Sequence, residues 1–194
     1  MKTLKELNEE MQYCEKCEIG LLDVNKYVDG KNGFGKLPIT GSKFKYVFVG
    51  QNPSVKRFEF SAFCGRTSGD TFAELLTEVG IKPEDVAILN MVKCSTISNQ
   101  PPDAETIKTC TDTWLAREFE IMNPHLIIAM GRTVCDFFGV KLGGFGRWNK
   151  LRVAGIYHPA VLKYDPSMKP KMMEMLKVVR TEIYDGVKLT KWFE

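Results

Sequence analysis

No apolar run in the chain approaches the roughly 20 residues that a membrane-crossing helix needs. The longest, Leu126-Ile127-Ile128-Ala129-Met130, has the length of a strand. The first residues, Met1-Lys2-Thr3-Leu4-Lys5-Glu6-Leu7, lack the apolar stretch of a secretory leader, so a cytoplasmic protein is expected. Charge of one sign is also scarce: 27 Lys and Arg stand against 24 Asp and Glu, leaving +3. Any site for a polyanion must therefore concentrate its charge locally. No internal repeat is present. Against these absences, 44% of the residues are hydrophobic and 26% charged, which excludes a disordered or collagen-like chain. A soluble chain of 194 residues buries about 70% of its unfolded surface in one sizeable core, so the expectation is a single domain, 1–194. Six cysteines without an export signal point to metal ligation or buried thiols before disulfides.

Apolar periodicity alternates between strand and helix. Thr3 and Glu6 make a capping box for a helix carrying Leu4, Leu7 and Met11. Tyr46–Val49, Val86–Leu89, Leu126–Met130 and Leu151–Tyr157 are continuous apolar runs, as strands buried on both faces are. Helices fall between them: Phe72 to Val79 closed by Gly80, Asp103 to Met122 stopped by Asn123-Pro124, and Arg132 to Phe138 closed by Gly139. A last helix carries Met172, Leu176, Val179 and Ile183 and stops at Gly186. Residues 18–45 read as an irregular wrap and Gly143–Arg147 as a loop. The expected fold is α/β, a three-layer αβα sandwich around a four-stranded parallel sheet.

In such sheets ligands bind beyond the carboxyl ends of the strands. Those ends carry Gly50-Gln51-Asn52-Pro53-Ser54, Asn90-Met91-Val92-Lys93-Cys94, Gly131-Arg132 and His158-Pro159-Ala160-Val161-Leu162. The first reads equally as a plain turn. Asn52 can hold a water or a ligand edge but cannot take a proton as a carboxylate would. His158 can donate to a developing anion. His125, before the third strand, reads as structural. Cys14 and Cys17 form a close pair and Cys94 and Cys110 a wide one; on spacing alone, four such thiolates suit zinc or a [4Fe–4S] cluster. Cys135 has apolar neighbours and reads as a core thiol, as the Met172-Met173-x-Met175 run of the last helix reads as packing material.

The two turns resemble the signature motifs of the uracil-DNA glycosylase superfamily, Gly-x-Asp/Asn/Ala-Pro and His-Pro-x-x-Leu. Phe63-Cys64-Gly65-Arg66-Thr67-Ser68-Gly69 is similar to the Phe-x-Gly-Arg-x-Gly segment of its iron–sulfur, family 4 type. Asn90-Met91-Val92-Lys93-Cys94 is similar to that type's Asn-x-x-Lys-Cys. The motifs stand in order from Cys14 to Leu162. The resemblance implies hydrolysis of the bond between uracil and deoxyribose in DNA, with the nucleotide flipped into a pocket. It also implies a structural [4Fe–4S] cluster on Cys14, Cys17, Cys94 and Cys110, with zinc as the alternative. Cys64 is left over.

In the implied mechanism Phe63 stacks on the base, Asn90 reads the uracil edge, and backbone N–H groups at Gln51 assist. His158 stabilises the uracil anion, Asn52 positions the water, and Leu162 wedges into the gap in the DNA. Arg66, Arg147, Lys163, Lys56 and Arg57 are the expected phosphate contacts. A DNA-binding monomer without membrane contact follows; a replication or repair partner has no motif here. The first motif departs from its nearest type. Family 4 commonly reads Gly-Glu-Ala-Pro-Gly, whereas Gln51 resembles family 1 and Asn52 resembles mismatch-specific and single-strand-selective members. Ser54 cannot exclude a thymine methyl group as the family 1 tyrosine does. Hypoxanthine, xanthine or mispaired thymine is therefore an alternative substrate, a catalytically silent nucleic-acid-binding iron–sulfur protein another, and a redox protein on a flavodoxin-like sheet a third.

Overall fold

The computed structural model describes residues 3–22, 25, 45–53 and 67–185. Five strands form one sheet in the order β2-β1-β3-β5-β4, where β1 is Tyr46–Gly50, β2 Ala87–Asn90, β3 Leu126–Met130, β4 Phe145–Trp148 and β5 Leu151–Ile156. All neighbours pair in parallel except β4, which runs antiparallel to β5 at the edge. The apolar runs read as buried parallel strands are those strands, and Leu126–Met130 is buried throughout.

Strand alternation sends successive side chains to opposite faces. On one face Phe48, Ile128, Met130, Ala154 and Ile156 meet Phe72 and Leu76 of α3 (Thr67–Val79) and Met172 and Leu176 of α7 (Lys169–Asp185). On the other, Val47, Val49, Ile127, Ala129 and Val153 meet helices α5 (Ala116–Met122) and α6 (Arg132–Phe138). Each fully buried aliphatic or aromatic side chain stabilises the fold by roughly 1.5–3 kcal/mol. The two apolar layers give the expected sandwich. A smaller cluster joins Leu7 and Met11 of α1 (Leu4–Gln12) to Val92, Cys110 and Trp114; α2 (Glu18–Leu21) follows α1. The capping box at Thr3 and Glu6 is present.

The strand count is a correction. Gly143–Arg147 was expected as a loop, but Phe145–Trp148 adds a fifth strand. A two-residue turn at Asn149 and Lys150, with φ of 45° and 71°, returns the chain along β5. Such turns match the strand twist, but Lys in place of Gly hides the signal. Trp148 then packs edge-on to Phe119 and Phe138, 5.8 and 5.4 Å between ring centres. An edge strand needs no continuous apolar run, so the sequence pattern did not mark it.

The helix expected over 103–122 is interrupted. α4 (Ala104–Cys110) passes through one π-helical turn, Thr111–Leu115, into α5. Asp103 caps it, accepting from the Thr106 N–H at 2.7 Å, and Asn123 ends it in a left-handed conformation. Smaller adjustments concern boundaries: β2 includes Asn90, β5 stops at Ile156, and α3 and α7 begin earlier than their apolar stripes. Among the described residues no helix is long and apolar enough to cross a membrane.

Candidate active site

The carboxyl ends of β1, β2 and β5 bring Gln51, Asn52, Asn90 and His158 to one edge of the sheet. Beyond the strands the first two segments continue to pair: the Met91 N–H donates to Gly50 O at 2.7 Å and the Val92 N–H to Gln51 O at 2.8 Å. Two motif loops are thereby zipped together. Gly50 is required there, since a Cβ on it would lie 2.6 Å from Asn90 Oδ1. The missing side chain is the space that holds the Asn90 carboxamide. That amide is buried, and its Nδ2 has no hydrogen-bond partner among the described residues. A buried donor left unpaired costs roughly 1–3 kcal/mol, so the position is set for a ligand acceptor.

Asn52 is held on both sides. Its Oδ1 accepts from Gln51 Nε2 at 2.9 Å, and its Nδ2 donates to Pro53 O at 3.1 Å and Thr96 Oγ1 at 3.2 Å. His158 follows β5 and caps the 3₁₀ turn Pro159–Lys163, its Nδ1 accepting from the Ala160 N–H at 3.1 Å. Burial pushes its pKa down to about 4, so the ring is neutral at pH 7. With Nδ1 occupied as an acceptor, the proton sits on Nε2. His158 is thus a neutral donor, fixed in tautomer by one backbone N–H.

Behind Asn90 lies a buried ion pair. Lys93 Nζ donates to Asn90 O at 2.6 Å and to Glu118 Oε2 at 2.5 Å, and the two side chains are 3% and 0% exposed. Burial raises the Glu118 carboxyl above its ordinary range, and the Lys93 charge opposes that rise. The Lys93 N–H donates to Cys110 Sγ at 3.3 Å. One residue therefore grips the Asn90 backbone, the α5 carboxylate and a cysteine sulfur.

Cys14, Cys17, Cys94 and Cys110 line one small cavity with Val92 and Trp114. Trp114 Nε1 donates to Cys14 Sγ at 3.2 Å, and N–H donors to sulfur tune thiolate centres. The π-helical turn starts directly after Cys110. Asn25 pins the segment after Cys17 to the β2 loop, donating to Ile19 O and Ser95 O, each at 2.8 Å, and accepting from the Ser95 N–H. Arg117 and Glu10, 2.8 Å apart, join α5 to α1. Burial pushes the Cys110 thiol up to about 12, so its proton leaves only where a cation replaces it. Among the described residues no three His, Cys, Asp or Glu side chains converge on a single metal ion. The four cysteines line the same cavity, and thiolates are the ligands of either a zinc ion or an iron–sulfur cluster.

Other expected residues divide. Leu162 is half-buried against the core cluster, and Lys163 is exposed, its Nζ 5.7 Å from the Tyr164 ring centre. Arg147 pairs with Arg152 near the start of β5, while His158 follows its end. At about 3.3 Å per strand residue that puts Arg147 more than 13 Å down the sheet, away from the crevice. It was expected on a loop, and the hairpin instead places it on the edge strand toward the amino end of β5. Phe63, Arg66, Lys56, Arg57, Ser54 and Cys64 lie outside the described residues. Cys135 is a buried core thiol, His125 packs edge-on to Tyr46 at 6.3 Å, and Met172 and Met173 are core. Thr96, Glu118 and Tyr164, the last 80% exposed, escaped the sequence reading. Only the motif position of Lys93 hinted at Glu118, and a hydroxyl in a loop carries no pattern.

The arrangement defines a class: an α/β protein whose strand ends carry a buried carboxamide, a neutral imidazole and a tethered asparagine. The profile of the Uracil DNA glycosylase superfamily matches residues 38–179. The chain is 30% identical to the type-4 uracil-DNA glycosylase of Archaeoglobus fulgidus over 185 residues, 87% of each chain. Identity to the type-4 enzyme of Saccharolobus solfataricus is 29% over 93% of this chain and 86% of that one. For the type-4 enzyme of Thermotoga maritima it is 36% over 68% and 64%. The chain belongs to the uracil-DNA glycosylase superfamily.

Proposed function

We propose that the protein is a DNA-repair glycosylase that hydrolyses the N-glycosidic bond of uracil in DNA and leaves an abasic site. The observation that carries the reading is the buried Asn90 amide with its unpartnered Nδ2, seated in the space Gly50 leaves. An amide offers a donor and an acceptor together, matching uracil O4 and N3–H. Cytosine presents the reverse pattern and would leave buried groups unpaired, which discriminates strongly. Phe63 stacks on the base by resemblance to the family motif.

As C1′–N1 breaks, the bond's electron pair passes to the uracil ring and positive charge grows on the sugar. His158 donates from Nε2 to the uracil O2, a preorganised neutral donor aimed where charge develops. A neutral imidazole suits this task because it need not be kept protonated against its buried surroundings. The water held by Asn52 bonds to C1′ and releases its proton to solvent. An amide cannot be a general base, so leaving-group stabilisation and water placement carry the rate.

Cys14, Cys17, Cys94 and Cys110, which line one cavity, hold a [4Fe–4S] cluster in this reading, favoured over zinc by the resemblance of the motifs to the iron–sulfur type. When bound, the cluster supplies a cross-link between α1, the β2 loop and α4; the hydrolysis moves no electrons. The whole chain acts as one domain and as a monomer on cytoplasmic DNA, with Lys163, Leu162 and Arg66 at the strand and Gln51 beside the base.

The test is base release from matched oligonucleotides carrying uracil, hypoxanthine, xanthine or mispaired thymine, read by alkali cleavage. Uracil release with weaker action on the others is expected. DNA binding without release from any would overturn the enzyme reading. Iron and sulfide in about equal amounts, with visible absorbance, separates the cluster from zinc.

A further inference from the structure

Thr96 lies two residues beyond Cys94 in the β2 loop, is 4% exposed, and belongs to no motif. Its hydroxyl donates to Gln100 O at 2.6 Å. A carbonyl only accepts, so the single hydroxyl proton of Thr96 is committed there. Toward Asn52, 3.2 Å away, Thr96 Oγ1 can then only accept. The atom of Asn52 that faces it must be the NH₂. Pro53 O, 3.1 Å from the same nitrogen, is another pure acceptor and demands the same orientation. The amide flip, which is ordinarily a choice made from the surrounding network, is here dictated by two backbone carbonyls, one directly and one through a hydroxyl.

With the nitrogen committed, Oδ1 turns the other way, where it accepts from Gln51 Nε2 at 2.9 Å and keeps a second lone pair. We infer that Thr96 is a positioning residue that sets the polarity of Asn52, so that the crevice receives an amide oxygen able to hold the attacking water, not an NH₂ that would compete for the water's lone pair. The inference rests on the glycosylase reading, in which Asn52 places the water. Solvent cannot stand in for the hydroxyl because Thr96 is buried in the loop. Gln51 acquires a role as well: its side chain orders Asn52, leaving only its backbone for the base.

The experiment compares single-turnover uracil release, at saturating enzyme, by the wild type, Thr96→Val and Thr96→Ser. Valine keeps the shape and deletes the hydroxyl; serine keeps the hydroxyl. Release by Thr96→Val should slow roughly 10- to 100-fold, with Thr96→Ser within about threefold of wild type and binding to abasic DNA unchanged in both. The same pair is then made with Asn52→Asp, whose two oxygens both accept and need no orientation. There Thr96→Val should cost less than about threefold, a non-additivity that a merely structural threonine would not produce. Equal losses in the two backgrounds, or equal rates for Thr96→Val and wild type, would overturn the relay. An inactive wild type would sink the glycosylase reading instead. The relay then stands or falls on the Asn52 side-chain NH₂ resonances. They should be protected from exchange in wild type and Thr96→Ser and exposed in Thr96→Val, and unchanged protection in Thr96→Val refutes it.

Discussion

Between Asn90 and Thr96 the chain buries Asn90, Lys93, Ser95 and Thr96, with Asn25 and Glu118 packed against them. Leu126–Met130 of β3, one strand removed from β2 across β1, buries nothing but aliphatic side chains and methionine. The side chains of the two regions are held by different means. β3 is held by non-directional apolar contact, which tolerates a small loss by shifting neighbours. The β2 loop is held by directional bonds in a low-dielectric setting, where each group depends on a particular partner. Precise side-chain placement is what the crevice demands, and it is the polar region that supports Asn52 and Asn90.

The sharpest way to break the contrast is Glu118→Ala. It leaves the Lys93 ammonium buried without its carboxylate and should cost about 3–5 kcal/mol in urea unfolding. Replacing Lys93 and Glu118 together by methionine and leucine should recover much of that loss, because no buried charge is then unpaired. The double variant should nonetheless release uracil slowly, since nothing then grips Asn90 O.

Next in size is His158→Ala. Loss of one donor to the leaving anion should slow uracil release about 10²- to 10³-fold, while denaturation midpoints change little. Ile128→Val, in the apolar region, should cost only about 0.5–1.5 kcal/mol and leave release unchanged. If Ile128→Val harmed catalysis as Glu118→Ala does, the division between the two regions would fail.

The pH offers a further test. His158 titrates near 4 in the fold against an ordinary 6.5, so release should show no inflection near pH 6.5. The unfolded chain binds the proton between these values and the folded one does not. Stability should therefore fall as pH drops from 6.5 toward 4 and be complete above 6.5. An NMR titration of the His158 ring checks the value, and a midpoint near 6.5 would refute the neutral-donor assignment.

Much of this was legible beforehand. The runs Tyr46–Val49 and Leu126–Met130 have the length and continuity of strands buried on both faces, and Asp103 announces its helix by its capping chemistry. The strand-end rule then places Asn52, Asn90 and His158 at the same end of the sheet. The edge strand was not legible, because Phe145–Trp148 owes its conformation to a turn with a lysine in it and to the rings Trp148 meets. Arg147 was misplaced for the same reason. Likewise the π-helical turn after Cys110 leaves no mark on the apolar period of residues 104–122.

Local rules of the chain thus determined the αβα layers and the residues that stand at the carboxyl ends of the strands, since periodicity, capping and strand polarity act over a few neighbours. Tertiary structure alone decided which atoms those residues present. The tautomer of His158 rests on the Ala160 N–H, the unpaired amide of Asn90 on the space at Gly50, and the orientation of Asn52 on Thr96 and Gln100. Hydrogen-bond polarity is a property of partners, and apart from the near neighbours of Asn52 and His158 these partners lie tens of residues apart in the chain.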